Sequence, residues 1–338
     1  MNCRVSVEPE HSDAGGIEER NTADSDRTSA ARPRAMRHMK LAFNISSWRP
    51  TRDEWILANR LVQRDEAERI SKFAFGRDAK ASMAGRLIMR RCLAESLRCD
   101  NASLHLTRTA EGRPALASAV AGFDFNVSHN GDFAVVAAGP CSRIGVDVMR
   151  MRYDGGRRIT DFFDLMRRQF TPAEWRFIES SPYEAQQVKR FYRLWTLKES
   201  YVKAVGVGLD LGLHRISFNI CDELRLADRL GVTSTSVEVD GRPVAGWTFH
   251  ECLLDEGHCV ATAVMELASA TPAAASCRPT ADEEDRRTPP QTDTANVGCY
   301  VQVDFGQIVR GLDPRDELSQ AELATLWEGF RVKDERPF

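Results

Sequence analysis

The stretch FDFNVSHNGDFAVVAAGPCSRIGVDV, residues 123–148, decides how this chain folds, because it holds three consecutive strand patterns. Apolar and polar residues alternate over 123–127, an apolar run covers 133–138, and alternation returns over 143–148. The Asn-Gly pair at 130–131 is a typical β-hairpin turn signal between the first two patterns. The stretch therefore predicts three strands that follow one another along the chain, the first two joined as a hairpin.

The third pattern places a single carboxylate among apolar and small residues. A period of two puts Ile144, Val146 and Val148 on one face of the strand. Gly145 and Asp147 then lie on the other face. A charge in the middle of a strand is costly unless it is paired or bound to a cation. Asp147 is therefore either a structural, salt-bridged residue or a ligand for a hard cation such as Mg²⁺.

Working outward, helix and strand patterns follow one another in an order that occurs twice along the chain. Amphipathic or capping signals predict helices over 66–75, 78–97, 171–178 and 184–205. Further strands are predicted over 215–219, 236–239, 246–250 and 260–265. Mixed helices and hairpins of this kind indicate the α+β class rather than a doubly wound parallel sheet.

Composition shifts divide the chain into five regions. Residues 1–40 are polar and aperiodic and are predicted to be disordered, as is an Ala-, Thr-, Pro- and acid-rich linker over 268–296. We predict an N-terminal half over 41–149 and a C-terminal half over 150–267. A C-terminal extension over 297–338 has one strand pattern and short helical patterns. The sequence leaves open whether this extension packs on the core.

The chain as a whole has the composition of a globular protein. It has 338 residues, a formal net charge of -3 and 42% hydrophobic residues. This balance excludes a globally basic nucleic-acid-binding protein, and no apolar run is long enough to span a membrane. The nine cysteines include no C-x-x-C pair, and no secretory signal is visible. We therefore expect reduced thiols and a cytosolic location.

Several common catalytic motifs are missing from the sequence. It contains no G-x-x-x-x-G-K-[ST] loop, no H-E-x-x-H, no G-x-S-x-G and no complete G-x-G-x-x-G after a strand. These absences argue against P-loop kinases, zinc proteases, α/β-hydrolases and Rossmann dehydrogenases.

Four features remain that could carry chemistry, and each has an ordinary structural explanation as well. On a helix, Glu199 and Lys203 lie one turn apart and form either a surface ion pair or part of a phosphate and metal site. Asp147 has the two interpretations given above. Ser128 and His129 precede a tight turn, where they either stabilise the turn or bind an anion. The fourth feature is a set of arginines that could bind phosphate or simply lie on the surface: Arg69, Arg77, Arg86, Arg90, Arg91, Arg108 and Arg113.

Together and in this order, the motifs resemble those of the Sfp-type 4′-phosphopantetheinyl transferases. The motifs are Arg108-Thr-Ala-x-Gly-Arg113-Pro, Phe125-Asn-Val-Ser128-His129, Gly145-Val-Asp147 and Trp195-x-x-Lys198-Glu199-Ser-x-x-Lys203-Ala. The likeness covers about 41–265, and the stretch 77–87 is similar to the animal branch of the family. One departure is Met149, which stands where many relatives carry a second acid; the animal branch shares it.

The resemblance implies a reaction and a fold. The family moves the phosphopantetheine arm of coenzyme A to a serine of an acyl or peptidyl carrier domain and releases adenosine 3′,5′-bisphosphate. Its fold is two similar α+β halves in a pseudo-twofold arrangement, with the site in the cleft between them. Because two halves lie in one chain, we expect a monomer, with no nucleic-acid or membrane partner.

The resemblance also implies a role for each matching residue. Asp147 and Glu199 would hold Mg²⁺, and Glu199 and Lys203 would be the catalytic residues, with Glu199 as the candidate base. The coenzyme A site would comprise Arg69, Arg108, Arg113, Asn126, Ser128, His129, Asp147, Lys198, Glu199 and Lys203. Within it, Lys203 and Lys198 would contact the pyrophosphate, and the arginines would bind the other phosphates.

Carrier choice and reaction class leave alternatives open. The animal branch implies three carriers: the fatty-acid synthase carrier domain, an aminoadipate-semialdehyde dehydrogenase-like protein and formyltetrahydrofolate dehydrogenase. The same metal and phosphate groups would also serve a Mg²⁺-dependent hydrolase of coenzyme A or another nucleotide diphosphate. A non-catalytic module that binds coenzyme A or a carrier domain is the third hypothesis.

Overall fold

The computed structural model describes residues 36–156, 158–206, 211–228, 231–267 and 299–334. Most of the two predicted disordered segments lies outside these residues. The boundary predicted at residue 40 is wrong, because Met39 and Lys40 already form the start of the first strand.

The described residues form eight α-helices and twelve strands. The strands are β1 (Met39–Asn44), β2 (Leu106–Arg108), β3 (Pro114–Leu116), β4 (Phe123–Asn130), β5 (Phe133–Pro140), β6 (Arg143–Arg150), β7 (Ile216–Asn219), β8 (Ser236–Val239), β9 (Arg242–Pro243), β10 (Trp247–Asp255), β11 (His258–Met265) and β12 (Val301–Val303). The helices are α1 (Arg52–Leu61), α2 (Arg64–Ser71), α3 (Gly76–Leu97), α4 (Ile159–Met166), α5 (Pro172–Glu179), α6 (Glu184–Val205), α7 (Phe305–Val309) and α8 (Gln320–Arg331).

Two sheets, each with a 22-residue helix on its outer face, form the body of the molecule. One sheet has the strand order β12-β1-β5-β4 and is covered by α3. The other has the order β10-β11-β6 and is covered by α6. Their inner faces meet in a core that includes Phe133, Val146 and Val260. The layers therefore run helix, sheet, sheet, helix, which confirms the α+β class with two similar halves.

The two sheets are joined at β4 and β6 by side chains rather than by backbone pairing. In a ladder of three bonds between the two strands, a side-chain oxygen of β4 accepts a backbone N–H of β6. The pairs are Asp124 with Ile144 (2.8 Å), Asn126 with Val146 (2.8 Å) and Asn130 with Arg150 (3.0 Å). The constant offset along both strands means that β4 and β6 run parallel. Two of the motifs quoted above, 125–129 and 145–147, lie on these two strands.

The C-terminal strap, residues 299–334, packs on the N-terminal half. β12 adds to β1 as a parallel edge strand, and Ile308 of α7 is fully buried against α3. Phe330 of α8 stacks on Trp55 with ring centroids 3.7 Å apart. The predicted strand and helices of this segment are confirmed, and the question of whether it packs on the core is answered.

The end of the strap also explains where one prediction is wrong. The helix predicted over 66–75 ends at Ser71. The Nζ of Lys333 donates hydrogen bonds to the carbonyl oxygens of Ser71 and Phe73. If the helix continued to residue 75, the carbonyl oxygen of Ser71 would instead accept the backbone N–H of that residue. No helix in the described ranges is long and apolar enough to cross a membrane.

Candidate active site

The site begins with a close approach between a strand and a helix. A Cβ atom built on Gly145 of β6 would lie 2.1 Å from the carbonyl oxygen of Ser200 and 2.4 Å from the backbone nitrogen of Ala204. No side chain fits in that space, so glycine is what allows α6 to lie directly on β6. Asp147, two residues after Gly145 on β6, and Lys203, about one turn after Ser200 on α6, therefore come within hydrogen-bonding distance.

Asp147, Ser128 and Lys203 meet at this junction. The Nζ of Lys203 lies 2.6 Å from Oδ1 of Asp147 and 3.0 Å from Oγ of Ser128. The Ser128 hydroxyl donates to the same Oδ1 at 2.9 Å. Oδ2 of Asp147 is buried and has no hydrogen-bond partner among the described residues. A buried carboxylate oxygen without a partner is expensive, which points to a ligand that would complete it.

Glu199 lies one helical turn before Lys203 and is half-buried on the same side of α6. Burial raises the pKa of its carboxyl, and the nearby carboxylate of Asp147 raises it further, against the Lys203 ammonium. Burial also raises the pKa of Asp147, although Lys203 and Ser128 oppose the shift. Two carboxylates and one ammonium leave an excess negative charge at the junction, which suits a cation.

A group of cationic side chains lies next to this junction. Arg86 is only 7% exposed, and its guanidinium lies 3.5 Å from Oε1 of Glu66. Burial lowers the pKa of Arg86 to about 10, and the charges of Arg108 and Arg69 contribute to that shift. The pKa of His129 is lowered by partial desolvation, then by Lys203, with Arg86 also contributing. The charges of Arg69 and Arg108 thus act on Arg86, opposed by the carboxylate of Glu66, and Arg86 in turn acts on His129.

Arg113 borders the junction, but its guanidinium is engaged by the protein. One terminal nitrogen donates to the carbonyl oxygen of Lys203 at 2.9 Å. The other donates to the Asp124 carboxylate at 2.8 Å and to the carbonyl oxygens of Phe125 and Ile144. Arg113 therefore fastens the end of α6 to β4 and β6. The phosphate contact expected of it stays a prediction.

Lys198 is not part of the site, which corrects the expected contact with the pyrophosphate. Its side chain is fully buried, and its Nζ lies 2.8 Å from a carboxylate oxygen of Glu174. The same Nζ donates to the carbonyl oxygens of Leu213 and Ile216. The side chain thus lies on a different side of α6 from Glu199 and holds the helix against α5 and the start of β7.

A cavity of about 670 Å³ opens beside the junction. Glu199 and Lys203 line it from α6, and Asn126 and Val127 line it from β4. Another part of the wall comes from the β2–β3 hairpin and includes Pro114. The carboxylate and ammonium groups therefore face a space large enough for a cofactor-sized substrate.

Comparison with known proteins agrees with this geometry. A family model described as "4′-phosphopantetheinyl transferase, N-terminal" matches residues 46–141. A second, described as "4′-phosphopantetheinyl transferase superfamily", matches residues 143–262. This chain belongs to the 4′-phosphopantetheinyl transferase superfamily. The resemblance inferred from the motifs is confirmed.

Three relatives illustrate the similarity within the superfamily. The human L-aminoadipate-semialdehyde dehydrogenase-phosphopantetheinyl transferase is 43% identical over 236 residues, which cover 69% of this chain and 76% of the relative. The protein of the same name from Xenopus laevis is 37% identical over 314 residues, 92% of this chain and 97% of the relative. A phosphopantetheinyl transferase from Thraustochytrium is 36% identical over 229 residues, covering 66% and 77%.

The residues of this transferase fit a magnesium ion held by few protein ligands. Within the described ranges, no group of three or more His, Cys, Asp or Glu side chains could hold a metal. Mg²⁺ is usually bound by one or two carboxylates together with water and substrate phosphates. Asp147, with its unpartnered oxygen, and Glu199 supply such a pair.

Two site features of this transferase were not assigned from its sequence. Arg86 stands among the arginines noted above but outside the family motifs, and only its burial beside Arg108 and Glu66 links it to the site. Gly145 is part of a motif, but its steric role depends on where α6 lies. The available signals were the stretch 77–87, which contains Arg86 and is similar to the animal branch, and the motif of Asp147, which contains Gly145.

Proposed function

We propose that this transferase moves the 4′-phosphopantetheine moiety of coenzyme A to a serine hydroxyl of an apo acyl or peptidyl carrier domain. The by-product is adenosine 3′,5′-bisphosphate. The observation that carries the proposal is the junction of Asp147, Ser128 and Lys203, with Glu199 beside it at the cavity. Superfamily membership favours transfer over the hydrolase and binding-module hypotheses.

Magnesium dependence is part of the proposal. Asp147 and Glu199 would hold the ion, and Met149 offers no oxygen ligand, so water and substrate would supply the remaining ligands. When bound, Mg²⁺ would neutralise charge on the pyrophosphate oxygens of coenzyme A.

The side chains of the chain have separate roles in this proposal. The Lys203 ammonium faces the cavity beside Asp147 and would bind the pyrophosphate oxygens as negative charge builds on the leaving phosphate. Arg69, Arg86 and Arg108 would bind the other phosphates of coenzyme A. Glu199, whose pKa is raised by burial, would take the proton from the attacking serine hydroxyl, directly or through a water.

The proposal also covers the carrier proteins, the cellular location and the oligomeric state. The names of the animal relatives include aminoadipate-semialdehyde dehydrogenase, so we propose a carrier domain of that kind, together with the carrier domain of fatty-acid synthase and formyltetrahydrofolate dehydrogenase. We further propose that the protein is a cytosolic monomer.

The reaction can be tested by the intact mass of an apo carrier protein after incubation with this protein, coenzyme A and Mg²⁺. A gain of one phosphopantetheine that EDTA abolishes is the expected result. Consumption of coenzyme A with no gain on any of several carriers would support the hydrolase instead. Bound but unconsumed coenzyme A would support the binding module.

Single substitutions then test the assigned residues. Asp147→Ala and Glu199→Ala should each lower transfer by about 100-fold or more, because each removes charge placed for the transition state. Glu184→Ala, at the exposed start of the same helix, should retain full activity. Circular dichroism and gel filtration establish that each variant is folded. Near-normal Mg²⁺-dependent turnover by either site variant would exclude that residue from the metal site.

A further inference from the structure

Cys252 and Cys299 form a pair of thiols in the core between the two sheets. Cys252 lies in β10 and is 6% exposed, whereas Cys299 is half-buried and lies two residues before the start of β12. Cys252 is part of this buried core, and Cys299 packs against it. Their thiols hydrogen bond to each other, and neither is part of a disulfide.

The surroundings give the two thiols different reactivity. The hydrogen bond from Cys252 and the charge of Lys40 in β1 favour the thiolate of Cys299 and lower its pKa. The same hydrogen bond, together with burial, raises the pKa of Cys252. Burial and the charge of Asp228 oppose the lowered pKa of Cys299, and its thiol donates to the carbonyl oxygen of Asp228 at 3.2 Å. A partly exposed thiolate next to a buried thiol is the arrangement of an attacking and a resolving cysteine.

We propose that Cys252 and Cys299 are a redox modification site, at which a hydroperoxide converts the two thiols into a reversible disulfide. The Cys299 thiolate attacks one oxygen of hydrogen peroxide, gives a sulfenic acid and releases hydroxide, which is protonated to water. The Cys252 sulfur then attacks the sulfenic sulfur, and the second water leaves with the Cys252 proton. In total, two thiols and one hydrogen peroxide give one disulfide and two waters.

The structural effect of this disulfide follows from where the two sulfurs lie. Cys299 begins the C-terminal strap, and Cys252 belongs to the sheet β10-β11-β6. The strap already contacts this sheet through the Tyr300 hydroxyl, 2.7 Å from Oγ1 of Thr262. The bond would fasten the start of the strap covalently to the C-terminal half.

The test is to map the link after oxidation. The full-length protein is treated with one equivalent of hydrogen peroxide, blocked with iodoacetamide, and digested with trypsin and Glu-C. Glu256 lies between Cys252 and Cys259, so the digest separates these two cysteines. The expected product is a peptide pair joining Cys252 to Cys299, two hydrogens lighter than the free peptides and cleaved by dithiothreitol.

Matched variants make the outcome decisive. Cys299→Ser should abolish the link and leave Cys252 as a free thiol, whereas Cys221→Ser, at an exposed cysteine, should leave the link at wild-type yield. Recovery of Cys299 as a sulfinic acid, or bonded to any partner other than Cys252, would overturn the proposal.

Hydrogen exchange reads out the structural effect separately. Oxidation should slow amide exchange in β12 of the wild-type protein several-fold and leave it unchanged in Cys299→Ser. Equal exchange in the linked and reduced wild-type proteins would contradict the fastening of the strap.

Discussion

Lys198 and Glu199 are neighbours in one motif, yet their side chains have different surroundings and different roles. Consecutive helical residues point about 100° apart, so they face different neighbours. Glu199 faces the cavity, while Lys198 is buried against Glu174. Helical spacing alone was therefore enough to place Glu199 with Lys203. The error was to extend that placement to Lys198 because the family motif contains both.

A buried histidine gives a prediction about pH and stability. Nδ1 of His250 is buried and has no hydrogen-bond partner in the part of the chain described, and burial lowers its pKa to about 4. The unfolded chain, with an ordinary histidine pKa near 6.5, therefore binds the proton better. Stability is complete above pH 6.5 and is lost as the pH falls towards 4, by roughly 1–2 kcal/mol between pH 7 and pH 5.

Urea unfolding at a series of pH values measures this loss. His250→Leu should flatten the dependence over that range, and His105→Leu, at an exposed histidine, should keep the wild-type slope. An unchanged slope in His250→Leu would show that another group is responsible.

Among elements, the contact between α6 and β6 depends on one glycine. Gly145→Ala would place a methyl group within 2.1 Å of the Ser200 carbonyl oxygen, so α6 would have to move away from β6. Glu199 and Lys203 would then lose their alignment with Asp147. We expect a fall in stability of about 1–3 kcal/mol and a loss of transfer larger than the loss of folded protein.

Thermal denaturation and the carrier mass assay measure the two effects. Gly85→Ala is the control, because its nearest neighbour would be a Val127 methyl at 3.8 Å. If Gly145→Ala transferred phosphopantetheine at the wild-type rate, the steric role of this glycine would be refuted.

The strap gives a second prediction at the scale of elements. Ile308 is fully buried against α3, so Ile308→Ala should lower the free energy of unfolding by about 2–5 kcal/mol. Glu328→Ala, on the exposed face of α8, should change it by less than about 0.5 kcal/mol. Chemical denaturation monitored by tryptophan fluorescence compares the two. Equal stabilities would mean that the strap contributes little to the fold.

Elements with strong local signals were predictable, and elements that depend on distant partners were not. The three strands of 123–148 and the helix over 184–205 are confirmed, because alternation and a glycine C-cap at Gly206 are local features. The prediction did not include β1 or α1. β1 is short and gains its hydrogen bonds from β5 and β12, which are far away in sequence. The end of α2 likewise depends on Lys333.

On the scale of the whole molecule, the shared inner core and the ladder between β4 and β6 should make both halves unfold together. Cys92 lies in α3 and Cys259 in β11, and both are buried. Pulsed thiol labelling in urea should expose them at the same midpoint, whereas the exposed Cys221 should react at every urea concentration. Two separated midpoints would show that the halves are independent folding units.

The packing of the strap also has a consequence for how the protein is made. Its rings cover two tryptophans of the N-terminal half: Phe305 stacks on Trp48 and Phe330 on Trp55. Chains leave the ribosome from the N-terminus, so the strap is synthesised after everything that it covers. Until then, the nascent chain displays both tryptophans and an unpaired edge of β1. A premature stop codon upstream of the strap would give a protein in which both tryptophans and the edge of β1 stay exposed. Chaperones and proteases would bind that apolar surface.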